Sequence, residues 1–127
     1  MKSIAAAMIG SSLLLAAPAL ANTGEMSVAT FLSKADALRA KGPAALFSGD
    51  MKVLKNEGEA AGAAYRNRLT AERAAGKPSS CPPAGGKARM SSDQLLAHLR
   101  AYPAPARGNT TMKTAMADYF IKTYPCR

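Results

Sequence analysis

From residue 27 onward, apolar positions recur every three or four residues, and nowhere do they alternate long enough to require a sheet. Val28, Phe31, Leu32, Ala35 and Leu38 mark a first amphipathic helix between Ser27 and Lys41, with Lys34, Asp36 and Arg39 on its polar side. Ser27 suits its N-cap, and Gly42-Pro43 marks its end. Pro43 to Ser48 fits a short helical turn carrying Leu46 and Phe47. A longer helix, capped by Ser48 or Asp50, then runs to about Ala75, with Met51, Leu54, Ala61, Tyr65 and Leu69 on one face and Gly76 as its stop. Gly58 and Gly62 lie inside that helix, where each costs about 0.5–1 kcal/mol relative to Ala. Their spacing, with Ala61 between them, either admits a second helix at close range or leaves the segment locally pliable.

Gly76 to Arg89 is rich in Pro, Gly and Ser and can neither propagate a helix nor pair as a central strand, so it reads as a surface connection tied down by Cys81. Ser91-Ser92-Asp93-Gln94 opens the next helix with a capping box, and Met90 is placed to staple onto Leu95. Leu95, Leu96, Leu99 and Tyr102 form its apolar face, and Pro103 and Pro105 end it. After a Pro103–Gly108 loop, Asn109 or Thr110 is expected to cap a last helix carrying Met112, Ala115, Met116, Tyr119 and Phe120, which finishes at Tyr124-Pro125-Cys126. The fold class expected is all-α, a small bundle of four to five helices, with a helical hairpin between the two cysteines.

The N-terminus changes the compartment. Lys2, the apolar run Ile4 to Ala17, Pro18 and then Ala19-Leu20-Ala21 have the order of a secretory signal peptide cleaved after Ala21. The run is too short to span a bilayer, so residues 1–21 are expected to be removed and no membrane anchor is expected after cleavage. Residues 22–127 then form a single domain in the periplasm. In an oxidising space two cysteines predict one bridge, Cys81 to Cys126, closing about 45 residues and contributing on the order of 4 kcal/mol. One His and two Cys cannot fill a tetrahedral zinc site, and neither a metal nor a cofactor is expected.

A chain of 127 residues excludes two-domain enzyme architectures, and 48% hydrophobic against 20% charged residues excludes a wholly disordered one. The net charge of +9 predicts attraction to an acidic partner. Nucleic acid is a poor candidate without an aromatic stacking platform, whereas an anionic envelope polymer or an acidic protein surface suits the charge better. Catalysis is not expected. His98 is the lone histidine and has no local orienting partner, the serines sit at loop and cap positions without a nucleophile motif, and Glu57 and Glu59 point apart on a helix.

Ser80-Cys81-Pro82-Pro83, the run Ser91 to Pro103, and Ala115 to Tyr124-Pro125-Cys126 resemble the C-terminal half of the Rap/Tai-type immunity proteins of type VI secretion systems. In that family a Cys-x-Pro loop precedes a capped helix ending near a Pro, and the last helix closes on an aromatic-Pro-Cys sequence. The resemblance departs in the second helix, where Ala60-Ala61-Gly62-Ala63-Ala64-Tyr65 lacks the family's additional cysteine, so a second bridge is absent. It implies a periplasmic protein that binds a peptidoglycan amidase effector, often as a homodimer, and blocks its active site. The loops Pro82–Arg89 and Pro103–Asn109 would carry the contact, with Lys87, Arg89 and Arg107 facing acidic groups on the partner. The alternative is a general cell-envelope helical protein, a stress chaperone or peptidoglycan-associated factor, with no effector.

Overall fold

Six helical segments succeed one another in the computed structural model, which describes residues 23–85 and 89–127. They are α1 (Val28–Ala40), a 3-10 turn (Gly42–Phe47), α2 (Gly49–Ala74), α3 (Ser92–Arg100), the single-turn α4 (Ala104–Arg107) and α5 (Met112–Thr123). No strand occurs among the described residues, and the all-α expectation holds. The signal-peptide segment and Lys87 lie outside the described residues.

Most boundaries follow from local cap chemistry. Ser27 accepts from the Thr30 amide, Ser48 from the Asp50 amide, and Ser91 from the Gln94 amide, while Gln94 returns the bond to the Ser91 amide at 2.8 Å. Gly42 and Gly76 adopt φ of +59° and +73°, the left-handed conformation that stops α1 and α2. Two boundaries differ from expectation. Pro103 to Gly108 contains α4, because Pro105 sits in a first turn, where no amide proton is needed. The N-cap of α5 is Thr111, not Asn109 or Thr110, because the Thr110 carbonyl accepts from the Val28 amide at 2.8 Å and its hydroxyl donates to Ala106 O.

The core is a single cluster. It takes Val28, Phe31, Leu32 and Leu38 from α1, Leu54, Ala61, Tyr65 and Leu69 from α2, Leu99 from α3, and Met112, Ala115, Met116 and Ala117 from α5. Met51, expected on the buried face of α2, is exposed at its edge. The closest pairing is α2 with α5, with α1 laid against α2 and α3 against α1. The two arms between the cysteines therefore lean mainly on other helices. They meet through side chains, as His98 stacks edge-on against both Tyr102 and Tyr119 with centroids 5.4 Å apart.

A feature with no counterpart in the sequence reading lies ahead of α1. The Gly24–Ser27 segment runs beside the start of α5, where the Met112 amide donates to Met26 O and the Lys113 amide to Gly24 O, both at 2.8 Å. These bonds occupy amides that the first turn of a helix cannot satisfy internally. Gly24 has φ +79°, and a Cβ there would lie 3.2 Å from the Ala61 Cα. The small face of α2 thus admits a close neighbour at Ala61, and that neighbour is this extended segment. Gly58 has nothing within 4 Å of a Cβ position, and Gly62 meets only the flexible end of Arg66.

Candidate functional site

The loop after α2 and the chain end after α5 are joined twice. Cys81 and Cys126 form the expected disulfide, and the Cys81 amide donates to Tyr124 O at 2.7 Å. The bridge therefore links the extension of α2 to the end of α5, the same two helices that pack most closely in the core.

Beneath it lies a polar chain with a fixed direction. Ser79 Oγ is 2.5 Å from Glu72 Oε1, and since a carboxylate only accepts, the serine proton goes to Glu72. The Tyr65 hydroxyl, 3.0 Å from Ser79 Oγ, must then donate to it, and Ser80 Oγ, 2.5 Å from the Tyr65 oxygen, donates in turn. Tyr65 and Ser80 are buried, so this chain satisfies hydroxyls that would otherwise be costly to enclose. Arg68 closes the chain, donating from Nε to Glu72 Oε2 at 3.4 Å while its guanidinium lies 5.7 Å from the Tyr65 ring centre. The hydrogen bond from the Ser79 hydroxyl, aided by its amide and by Arg68 and opposed by desolvation, holds the Glu72 carboxyl below its ordinary value. Sequence reasoning placed Ser79 and Ser80 only as loop residues. The available signal was Tyr65 on the buried face of α2, since an enclosed phenol needs a partner.

The result is a loop whose base is clamped and whose described residues beyond it stand in solvent. Pro83, Ala84 and Gly85 are exposed, and so is Arg89 on the far side. Arg107 is placed differently. It is half-buried, and its Nε donates to Tyr102 O at 2.9 Å and one Nη to Arg100 O at 2.8 Å. It closes the C-terminal end of α3, where carbonyls lack helical partners, so it is neither a purely solvated loop charge nor wholly free to face a partner.

His98 is half-buried, with Nε2 2.8 Å from the Ala115 carbonyl. A carbonyl only accepts, so Nε2 carries a proton and donates. The imidazole, Tyr102, Asp118 and Ile121 help line a shallow depression of about 350 Å³. Tyr102 donates to Asp118 Oδ2 at 2.5 Å. Partial burial, reinforced by that bond and the Asp118 charge, pushes its phenol well above the ordinary tyrosine value. His98 Nε2, the Tyr102 hydroxyl and Asp118 are engaged with one another's elements inside the fold, and these groups form no arrangement of nucleophile, base and orienting group. Among the described residues no cluster of three or more His, Cys, Asp or Glu side chains could hold a metal, and no helix is long and apolar enough to cross a membrane. In comparisons with protein-family models, curated proteins and solved structures, nothing matches this chain.

Proposed function

We propose that this is a periplasmic immunity-type protein that binds a peptidoglycan amidase effector and blocks its active site by occlusion. The observation that carries the reading is the Pro82–Gly85 segment, an exposed loop whose base is immobilised by the Cys81–Cys126 bridge, the Cys81–Tyr124 hydrogen bond and the Ser80–Tyr65–Ser79–Glu72 chain. A loop anchored at its base has less chain to order on binding than an unanchored one, which suits it to entering a substrate cleft. The sequence resemblance supplies the partner class, and the engagement of His98 and of Ser79 and Ser80 in structural hydrogen bonds suits a protein that inhibits without reacting.

In this reading Arg89 and Lys87 on the loop steer towards acidic groups of the effector, and Arg107 contributes through donors left over from its α3 clamp. Capture from periplasmic extract on the immobilised exported protein is the deciding experiment. A co-purifying amidase whose peptidoglycan cleavage the protein inhibits, with inhibition weakened by Arg89→Glu, is the expected result. Unimpaired cleavage in the presence of excess protein, or a deletion strain no more sensitive than its parent to sister-cell attack, would overturn it.

A further inference from the structure

Large apolar side chains are seldom held outward on a rigid turn, and the corner between α1 and α2 does this twice in succession. Leu46 is 74% exposed and Phe47 92%, while their small neighbour Ala45 is the residue buried in the core. Met51, in the first turn of α2, adds a third partly exposed apolar group. The turn is not a loose loop. Gly42 sits at φ +59°, Pro43 occupies its first turn, the Ser48 amide donates to Ala45 O at 3.0 Å, and Lys41 Nζ reaches Ser48 Oγ at 3.4 Å. The fold thus holds Leu46 and Phe47 in water on an ordered turn, where burial against a partner would gain hydrophobic free energy that folding itself does not supply.

Charge selects the occupant. Residues 39–55 contain Arg39, Lys41, Lys52 and Lys55 against one acid, Asp50, and that acid is already paired with Lys34 at 3.3 Å. Lys55 lies 4.0 Å from Glu59, while Arg39, Lys41 and Lys52 make no ion pair among the described residues. A protruding leucine and aromatic on a turn flanked along the chain by Arg39, Lys41 and Lys52, none of them in an ion pair among the described residues, match the boundary of an anionic bilayer, where rings enter the headgroup region and lysines meet phosphate. A second copy of this chain would instead bring the same cations against each other across a two-fold axis. We infer that the Leu46–Phe47 corner is a peripheral docking surface for a bilayer rich in anionic phospholipid. This does not depend on the effector reading, since it uses a different part of the molecule.

Flotation of the exported protein with phosphatidylglycerol-containing vesicles, against vesicles of phosphatidylcholine alone, tests it. The protein is expected to float with the anionic vesicles only. Phe47→Ser should weaken partitioning about tenfold, the effect of withdrawing one large apolar group. Lys52→Glu should weaken it at least fivefold at low salt, and the difference should shrink as salt screens the surface. Both side chains are exposed, so the variants should keep the parent melting temperature, which separates lost docking from lost folding. Equal flotation of Phe47→Ser and the parent, or equal flotation with neutral vesicles, overturns the inference. So does a concentration-dependent dimer abolished by Phe47→Ser, which would assign the corner to self-association.

Discussion

The Met26 amide donates to Glu57 Oε1 at 2.9 Å, joining residues 31 apart through a carboxylate that is only 1% exposed. This bond fixes the segment ahead of α1 onto the middle of α2. Glu57→Ala leaves the Met26 amide without its acceptor and should destabilise the fold by about 2 kcal/mol. Glu57→Gln retains an accepting oxygen and should cost less than half of that. Urea unfolding measures both, and hydrogen exchange in Glu57→Ala should quicken first at Met26, Met112 and Lys113.

Two glycines should respond to alanine with opposite signs. At Gly24 the left-handed backbone alone costs about 1–2 kcal/mol, and the new methyl must also displace the α2 backbone at Ala61. At Gly58, inside α2 and with open space around a Cβ, alanine should stabilise by about 0.5–1 kcal/mol. Paired melting curves decide the point, and a shared sign would contradict the packing described above.

Reduction of Cys81–Cys126 releases a 45-residue closed loop and should lower stability by on the order of 4 kcal/mol. The loss should begin at the end of α5 and the Ser79–Gly85 segment, where Tyr124 and Cys81 are linked. Urea midpoints with and without dithiothreitol give the magnitude, and an unchanged midpoint would mean that packing between α2 and α5 suffices alone.

Two titrations should shape stability at the extremes of pH. Glu72 is held below 4.5 in the folded state, so its contribution is present above that value and disappears as pH falls through the lower folded value. Glu72→Gln should therefore narrow its stability gap to the parent on acidification. Tyr102 is raised above 10.0 when folded, so its contribution is intact below pH 10 and is lost as pH climbs through the higher folded value. Tyr102→Phe should flatten the alkaline limb of the stability curve while leaving the acid limb as it is.

What could be foreseen depended on the range of the interaction. The capping box at Ser91 and Gln94 and the stops at Gly42 and Gly76 are fixed by neighbours within four residues, so the pattern of residue types suffices. The choice between Thr110 and Thr111 as cap is not local, because the Val28 amide decides it from the other end of the domain. The same holds for Arg107, whose clamp on Arg100 and Tyr102 requires α4 to fold back over α3. Of the candidate site, the cysteine pairing and the exposed Pro-rich loop were legible. The Ser80–Tyr65–Ser79–Glu72 chain beneath it was not, because nothing in a run of loop serines indicates which helix lies underneath.

The bonds from Gly24 and Met26 to the start of α5 also govern when the molecule can close. Residues near the beginning must wait for partners close to the end, so an incomplete chain emerging from a ribosome lacks the contacts that seal its middle helix. The docking of the Gly24–Ser27 segment is therefore among the last contacts the chain can complete.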